Sequence, residues 1–600
     1  MRRSTRYRWR QVRRRALPLL LVLAGAALLL LLGVIALAVT LPGVRSDLVA
    51  GRASLLSAQD DLGRGEVPAA RNDLREAARR AAQADDRTHG TIWKVMAHVP
   101  VARGSVRELQ AMSGSLRVTT RDVLPPLLDV TAQPTWTGKV DAAAFSRLQG
   151  PLGSAALRLE AARRTLRAAP HSGISQIAGP RRQLDDALSR LALTVGEAKV
   201  TADVLPRLVT GDRHVLLAVQ NNAEPRATGG LLGAYGLIDV HDGAFRLSAV
   251  GPNNDLRDTT APVVQLGDEY DQRYGRFDTT STWRSANLTA DTPSAGRILA
   301  GLWKAQTGQQ VDAVLLVDPV ALADLLGATG PVTLSDGTRV TEKNAVQVLL
   351  VDAYRTFANA EIAARNDYLS EATRRVVNKL TAGGLDGARV VARVSKAAAS
   401  GHLQLFSTDP TTEAELTTAR VGGALQSDGP FLSVVTQDVG GSKLGAYLHR
   451  SVTYTGTPTG EAVDLGSGPQ LEEDATVSVA LTNQAPDGLP AYVTARPDDP
   501  RAPVGQGKYW LSVYLGRNAT LLGATLDGTK VDVETGTEKG LTVVSVFLTL
   551  DRGRTRTLEL HVRQPSRPGQ PMTYRQQPLL RPDELVVKRK GAPLVELYSD

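Results

Sequence analysis

The chain has 600 residues, of which 42% are hydrophobic, so several domains with buried cores fit its length. It contains no cysteine, which excludes disulfide bonds, thiolate catalysis and cysteine-bound metals. The formal net charge is +9, but the nine arginines up to Arg45 account for it, because the remaining 61 basic residues equal the 61 acidic ones. A nucleic-acid-binding domain carries its own basic surface, so we expect no nucleic-acid partner for the body of the chain.

The N-terminal region predicts a single-pass membrane anchor. A basic leader at residues 1–15 precedes an uncharged apolar run at residues 16–41, and as a helix this run is long enough to cross a hydrocarbon core of ~30 Å. The arginines lie on one flank, which places that flank in the cytoplasm. We therefore expect a cell-membrane protein with a cytoplasmic N-terminus and an extracytoplasmic body. A cleaved signal peptide is the alternative, because Ala36 to Ala38 resembles a cleavage site.

Residues 42–208 carry a helical pattern. The stretch "EVPAARNDLREAARRAAQAD" is rich in helix-forming residues and places Val67, Ala70 and Leu74 on one face. Because the apolar faces consist mostly of alanine, the pattern predicts a slim helical stalk or bundle. A coiled-coil partner surface is the alternative, but the sequence sustains no heptad.

Strand-like and helix-like segments alternate in residues 209–444, which predicts a layered α/β domain. One helix is predicted to begin with Thr292 as its N-cap and Pro293 in its first turn, and a second to end at Gly330. Residues 445–600 contain short alternating strands separated by turn residues, which predict an immunoglobulin-like β-sandwich. The predicted fold class is therefore a multidomain α+β protein, with a transmembrane helix, a helical stalk, an α/β domain and a β-sandwich.

Common catalytic motifs are absent from the sequence. The eight histidines are scattered without ligand spacing, so we predict no metal site. No G-x-S-x-G elbow, P-loop or G-x-G-x-x-G motif occurs. This excludes the common hydrolases and nucleotide enzymes, and no catalytic residue can be named.

One polar stretch between two strand-like runs predicts a binding site. It is "QNNAEPRATGG", from Gln220 to Gly230. Glycines let the backbone approach a ligand, successive amides form an anion nest, and an arginine beside them binds phosphate or carboxylate through two oxygens. The alternative is structural: Arg226 pairs with Glu224, Asn222 caps a turn, and Asp291 favours a helix dipole.

Two further clusters, "DLRDTT" and "STWRSANLTADTP", again place an arginine among Asn, Asp, Ser and Thr. Three such clusters in one domain favour a shared anion-binding pocket. The residues predicted to line it are Asn221, Asn222, Glu224, Arg226, Thr228, Gly229, Gly230, Arg257, Asp258, Arg284, Asn287 and Asp291.

These blocks resemble the domain-of-unknown-function family 4012 of bacterial envelope proteins. The stretch "LLAVQNNAEPRATGGLLGAYGLIDV" resembles the family signature, "WRSANLTADTPSAGRILAGLW" its second block and "VDAVLLVDPVALADLLGATGPV" its third. The segment "FLSVVTQDVGGSKLGAYLHRSVTY" resembles the usual exit into a β-domain. Where the family often has Arg-Asp, this chain has Arg284 and Ser285, so a carboxylate role at position 285 is not implied.

The third block is also distantly similar to the LytR–CpsA–Psr domain, whose members are anchored outside the cell and attach glycopolymers from polyprenyl-pyrophosphate carriers to the wall. That similarity implies arginines that hold pyrophosphate, with acidic residues and magnesium as helpers. Convergence of Arg226, Arg257 and Arg284 on one cavity would favour a binding or enzymatic site, and an acid pair such as Asp258 with Asp291 would favour an enzyme.

Three functional hypotheses follow. The first is an envelope protein that binds an anionic ligand, such as a lipid-linked or wall polymer. The second is a magnesium-dependent glycopolymer transferase, and the third is a purely structural envelope protein in which the polar clusters only hold the domain together.

Overall fold

The computed structural model describes residues 42–62, 64–100, 102–131, 136–172, 174–357, 362–426, 429–464, 469–566, 572–589 and 594–597. The chain divides into two compact units, Met1–Ala132 with Arg147–Lys199, and Gln133–Ser146 with Val200–Asp600. Within the described ranges, no helix is both long and apolar enough to cross a membrane. The predicted leader and transmembrane segment, residues 1–15 and 16–41, lie outside those ranges.

Helices make up the first unit, in agreement with the alanine-rich pattern. The helices up to residue 209 are α1 (residues 42–62), α2 (Val67–Thr88), α3 (Thr91–Met96), α4 (Arg103–Val118), α5 (Leu124–Thr131), α6 (Ala142–Ala168) and α7 (Ser175–Val209). A short π-helical segment at Thr119–Val123 joins α4 to α5. Pro125 and Pro126 follow it, and because proline cannot donate to the preceding turn, the helix widens there. The buried face of α2 includes Ala70, Ala77 and Ala81, whose small side chains permit close helix packing.

A buried ion pair connects three helices of the first unit. Arg181 Nη1 on α7 donates to Glu108 Oε1 on α4 at 3.1 Å, and both side chains are almost inaccessible to solvent. Arg181 Nη2 also donates to the carbonyl oxygens of Leu166 and Ala169, at 2.7 and 3.0 Å. Arg181 therefore satisfies carbonyls that the end of α6 leaves without a helical partner.

The second unit contains all the sheets of the described residues. Its strands are β1 (Asp212–Arg226), β2 (Gly229–His241), β3 (Ala244–Pro252), β4 (Ala313–Val317), β5 (Val332–Thr333), β6 (Arg339–Val340), β7 (Leu403–Ser407), β8 (Phe431–Asp438), β9 (Leu448–Asp464), β10 (Pro469–Asn483), β11 (Gly507–Arg517), β12 (Thr520–Leu526), β13 (Thr529–Lys530), β14 (Glu534–Glu538), β15 (Leu541–Leu550), β16 (Thr555–Ser566), β17 (Met572–Arg575), β18 (Glu584–Arg589) and β19 (Leu594–Leu597). Its further helices are α8 (Asp268–Tyr274), α9 (Thr292–Thr307), α10 (Pro319–Thr329), α11 (Ala345–Gln347), α12 (Ala353–Thr356), α13 (Ile362–Ala382), α14 (Gly387–Ala399), α15 (Pro410–Leu416) and α16 (Ala491–Thr494).

A five-stranded mixed sheet in the order β3-β2-β1-β4-β7 forms the first part of this unit. Strands β1, β2 and β3 form an antiparallel meander, whereas β4 runs parallel to β1. Helix α9 packs on one face, where Ile298 and Leu302 join Leu216 and Phe406 in one apolar cluster. Strands and helices thus alternate as the sequence predicts, and they form a layered α/β arrangement.

Aspartates begin the two helices that the sequence analysis singled out. Asp291, rather than the predicted Thr292, is the N-cap of α9, because its carboxylate accepts a hydrogen bond from Ser294 N at 3.1 Å. Asp318 caps α10 in the same way through the backbone amides of Val320 and Ala321. The predicted end of α10 at Gly330 is confirmed, with a positive φ of 72°.

Two six-stranded sheets form the rest of the unit, in the orders β13-β12-β16-β10-β9-β18 and β14-β15-β11-β8-β17-β19. Side chains from both sheets, such as Val477 and Leu560 on one and Leu511 and Val544 on the other, fill a common core. The structure therefore shows two packed sheets where the sequence predicts a sandwich. Strands β17 and β18 pair in parallel with β8 and β9, whereas an immunoglobulin sandwich is built from antiparallel pairs.

The sheet that contains β8 and β11 is covered on both faces. One face contributes to the core of the sandwich, whereas Trp510 points the other way, into the apolar cluster of the α/β part. Arg273 on α8 donates to Ser512 Oγ of this face at 2.9 Å. Strand β8 precedes the predicted boundary at residue 445, yet it pairs with β11 over seven residues. The α/β part and the sandwich consequently share a buried interface within one unit.

Gly296 in α9 provides a test of the packing of α9 against β7. A Cβ at Gly296 would lie 2.3 Å from Phe406 Cγ, closer than atoms can approach. In an exposed helix, Gly→Ala stabilises by about 0.5–1 kcal/mol. We expect Gly296→Ala instead to lower the free energy of unfolding by about 1–3 kcal/mol, because α9 must move away from β7.

Gly153 in α6 is the matched control, since no neighbouring atom lies within 4 Å of a Cβ placed there. Denaturant unfolding followed by circular dichroism measures both variants. Equal or greater stability of Gly296→Ala would contradict the close contact between α9 and β7.

Candidate functional site

The signature stretch forms an irregular end of the β1–β2 hairpin. Regular pairing is interrupted between Asn221 and Pro225, where the intervening residues bulge out of β1. A Cβ at Gly230 would lie 2.1 Å from the carbonyl carbon of Asn221, and Gly229 has a φ of 140°. Only glycine fits at Gly230, so both glycines serve the close passage of β2 past β1.

A buried hydrogen-bond network holds this end of the hairpin. Asn287 Nδ2 donates to Gln220 Oε1 at 2.8 Å, to Thr228 Oγ1 at 3.1 Å and to Gly230 O at 2.8 Å. Thr228 Oγ1 in turn donates to Gln220 Oε1 at 2.8 Å. These side chains are at most 3% exposed, so their function is to connect the hairpin to the segment before α9.

The two asparagines of the signature bond to different parts of the unit. Asn221 Nδ2 donates to Tyr354 OH on α12 at 2.7 Å. Asn222 Nδ2 donates to Asp318 Oδ2 at 2.8 Å, and the same oxygen lies 2.5 Å from Nδ1 of the buried His402. Both asparagines therefore position secondary-structure elements rather than face an open cavity.

Glu224 forms a buried ion pair, but not with Arg226. Its carboxylate contacts Lys443 Nζ, and both side chains are 8% exposed. Burial opposes the charge of Lys443, but the Glu224 carboxylate outweighs it and raises the pKa of Lys443 above its usual value. The ammonium also lies 4.6 Å from the centroid of the Tyr492 ring, a cation–π distance.

Asp291 is buried and both of its carboxylate oxygens are bonded. Oδ2 accepts from Ser294 N and Oγ, and Oδ1 accepts from Leu425 N at 3.0 Å. Lys539 Nζ lies 3.1 Å from Oδ2. Asp258 is exposed instead, and its Oδ1 accepts from Trp283 N at 2.9 Å. These two acids therefore have separate structural partners.

Arg226 differs from its neighbours in the signature, because no carboxylate among the described residues accepts a hydrogen bond from it. Its Nη1 donates to the carbonyl oxygens of Pro225 and Asp438, and its buried Nε has no partner. The Asp438 carboxylate is engaged elsewhere, with Gly440 N, Gly441 N and Ser442 Oγ. Burial raises the pKa of the Asp438 carboxyl to about 6.

A second arginine lies near Arg226. Burial lowers the pKa of Arg226, the carboxylates of Glu224 and Asp438 oppose this shift, and the positive charge of Arg284 adds to it. Arg284 is exposed, and no described residue pairs with it. The structure thus brings Arg226 and Arg284 into one electrostatic neighbourhood, and neither guanidinium has a bonded carboxylate.

The third predicted arginine is not part of this pair. Arg257 is exposed, and its described contacts involve only its backbone, whose N–H bonds to Gln306 Oε1 and whose carbonyl accepts from Trp283 Nε1. Among the described residues no group of three or more His, Asp or Glu side chains is arranged to hold a metal ion.

Sequence reasoning did not identify Lys443, Asp438 and Gln404 as neighbours of the signature. Gln404 Nε2 donates to Thr228 O at 3.3 Å and to Gly401 O at 2.7 Å. The "QDVGGSK" segment at the end of β8 was a usable signal, because a buried lysine requires an acid partner and Glu224 was the acid of the signature.

The Glu224–Lys443 pair yields a stability prediction. Glu224→Gln leaves a buried ammonium without its counter-charge, so we expect the free energy of unfolding to fall by about 3–5 kcal/mol. The double variant Glu224→Gln, Lys443→Met should lose less than the two single variants together, because no buried charge remains.

The exposed pair Arg276–Glu534 is the control, with side chains 47% and 46% exposed. Glu534→Gln should change the free energy of unfolding by less than about 1 kcal/mol. Denaturant titration of all four variants measures these values. A Glu224→Gln variant as stable as Glu534→Gln would contradict the assigned pairing.

Comparison with known proteins places one part of the chain in a family. Residues 210–354 match the family model described as "Protein of unknown function (DUF4012)". No curated protein and no solved structure matches the chain, so the similarity to the LytR–CpsA–Psr domain gains no support. The matched range begins just before β1 and ends in α12, and it contains every residue predicted for the anion site. The chain therefore carries a domain of the DUF4012 family, at residues 210–354.

Proposed function

We propose that this chain is a membrane-anchored, extracytoplasmic protein of the cell envelope, and that it binds an anionic envelope ligand at Arg226 and Arg284. The observation that carries the proposal is the partly buried guanidinium of Arg226, which bonds only to carbonyl oxygens among the described residues and whose buried Nε has no partner. Proteins commonly neutralise such a cation with an acid, and this domain pairs Glu224 with Lys443 instead.

The chemistry of the two arginines indicates the ligand class. A planar guanidinium offers paired N–H donors that match two oxygens of a phosphate or carboxylate. Arg226 and Arg284 interact electrostatically, and two guanidiniums within electrostatic range suit a ligand with two negative charges, such as the pyrophosphate of a lipid-linked glycopolymer. Arg226 is partly buried, which strengthens its attraction for an anion, and Arg284 is open to solvent, which leaves a route of entry.

Membrane attachment is supported by the sequence. The arginines before residue 16 and the apolar run to residue 41 motivate a single-pass anchor with the body outside the cytoplasm. Nucleic acid is not a proposed partner, because the chain beyond Arg45 has no net formal charge.

No observation favours the transferase hypothesis over binding. The acids proposed to hold magnesium, Asp258 and Asp291, bond to different structural partners, and both oxygens of Asp291 are occupied by protein donors. The proposed site is therefore a binding site, with Arg226 and Arg284 as its contacts.

Binding of inorganic pyrophosphate by the detergent-solubilised full chain tests the anion site. Arg226→Lys and Arg284→Lys should each weaken the affinity at least tenfold, because lysine keeps the charge but loses the paired donors. Arg257→Lys is the matched control, since Arg257 is an exposed arginine of the same domain outside the pair, and its affinity should be unchanged. Isothermal titration calorimetry gives the affinities.

Melting temperatures separate binding from stability. If Arg226 only holds the fold together, Arg226→Lys lowers the melting temperature, and Arg284→Lys binds pyrophosphate like the wild type. Equal affinities for all three variants would contradict the proposed site.

The proposed topology is tested with protease on intact protoplasts. We expect the body beyond residue 46 to be digested and to sediment with membranes in untreated cells, because the apolar run retains it. Full protection from protease would contradict an extracytoplasmic body. Release of an undigested body into the medium would indicate a cleaved signal peptide instead of an anchor.

A further inference from the structure

Two helices show which end of the first unit lies beside the start of the described chain. Asp47 on α1 accepts a hydrogen bond from Arg87 Nη1 near the end of α2, at 2.5 Å. A Cβ at Gly43 would lie 2.6 Å from the same nitrogen. The beginning of α1 and the end of α2 are therefore at the same end of this unit.

The connection from α2 to α4 extends beyond this point. Gly51 of α1 faces Leu116 of α4, since a Cβ there would lie 3.1 Å from Leu116 Cδ2. Gly43 lies eight residues before Gly51 in α1, and Glu108 lies eight residues before Leu116 in α4, so Gly43 and Glu108 are at the same level. Helix α4 extends from Glu108 toward its N-terminus at Arg103 for a further ~7 Å, given the helical rise per residue. Helix α3 thus lies past the level at which α1 begins.

Helix α3 exposes apolar side chains at this end. Ile92 is 47% exposed and Val95 is 62% exposed, whereas Trp93 and Met96 are each 2% exposed and hold the opposite face against the unit. Lys94 lies exposed between the two apolar residues. Ile92 and Val95 are three residues apart in the helix, so they lie on the same side of α3 and form one exposed apolar patch.

A second connection brings another apolar side chain to the same level. Ser172 N, in the α6–α7 connection, donates to Glu108 Oε2 at 2.9 Å. Ile174, two residues later, is 42% exposed. The exposed apolar side chains Ile92, Val95 and Ile174 thus lie at the end of the unit where α1 begins.

The position of the chain start identifies what faces these side chains. The apolar run ends at Leu41, immediately before the described residues, and under the proposed function it crosses the membrane. A bilayer surface must then lie at this end of the unit. Exposed basic side chains surround the apolar ones there, namely Arg45, Lys94 and Arg103, and they suit the anionic headgroups of a membrane surface.

We propose that α3 is a second membrane contact, with Ile92 and Val95 inserted at the outer headgroup–acyl boundary beside the transmembrane segment. The inference rests on the anchor of the proposed function and adds a surface that fixes the orientation of the first unit on the bilayer. The partner is a lipid surface, and the contact is interfacial rather than spanning, because α3 has only six residues.

The absence of cysteine makes a direct test possible, because a single introduced cysteine can be labelled without a background reaction. The variants Ile92→Cys and Val95→Cys carry a polarity-sensitive fluorophore in the full chain, reconstituted into phosphatidylcholine–phosphatidylglycerol vesicles. Leu157→Cys is the matched control, since Leu157 is 75% exposed in the same unit and about three turns before the end of α6. Leu30→Cys reports on the anchor itself.

Spin-labelled lipids quench only fluorophores that reach the bilayer. We expect quenching at positions 92 and 95 to be at least threefold greater than at position 157, with strong quenching at position 30. Quenching at 92 and 95 equal to that at 157, with position 30 still quenched, would overturn the α3 contact and leave the anchor intact. No quenching at position 30 would overturn the anchor and the α3 contact together. Positions 92, 95 and 157 are exposed, so labelling there leaves the core undisturbed, and circular dichroism confirms the fold of each variant.

Discussion

The β1–β2 hairpin can exist in this protein only because its polar groups find partners after burial. Transfer of an amide or hydroxyl from water to the protein interior without a hydrogen bond costs several kcal/mol. This cost is comparable to the net free energy of unfolding of a whole domain. Asn287 meets this constraint for the hairpin, since one side-chain amide donates to Gln220, Thr228 and Gly230. The Oδ1 atoms of Asn287 and Asn222 are buried without a described partner, so acceptors outnumber donors in this network.

Because its buried polar groups need partners, the hairpin is bonded to several other elements of the second unit. Asn222 connects it to the cap of α10 through Asp318 and to the C-terminal region through Pro578 O, at 3.0 Å. Glu224 connects it to the segment after β8 through Lys443. Each bond joins the hairpin to a different element. Most polar residues of the family signature can therefore have a mainly structural role.

Arg226 and Arg284 are informative against this background. Most other polar side chains of the signature have partners that account for their presence, whereas these two cations affect each other electrostatically and neither has a bonded acid among the described residues. Such an arrangement is unfavourable without an anion, and domains keep unfavourable groups where they function. The first unit also contains an exception, in this case to the burial of apolar side chains. Ile92 and Val95 are exposed on a helix whose other face is buried. These two exceptions are the basis of the proposed anion site and of the proposed membrane contact.

The sequence by itself determined the local order of this protein. Its helical period and alanine content predict the first unit, the alternation of strands and helices predicts the layered sheet, and Gly330 marks the end of α10. It also contains the family signature, because such a motif is a property of the chain and needs no coordinates. The N-cap of α9 was predicted one residue late, because Asp291 and Thr292 are both good capping residues and only geometry selects between them.

Only the tertiary structure decided which polar residues meet. The structural alternative paired Glu224 with Arg226, two positions away, but Glu224 pairs with Lys443, and the predicted pocket residues Arg257 and Asp291 have separate surroundings. The pairing of β8 with β11, which joins the sandwich to the α/β part, is equally non-local. The physical reason is the same in each case: periodicity and capping act within a few residues, whereas hydrogen-bond and ion-pair partners are selected by distance in the folded chain.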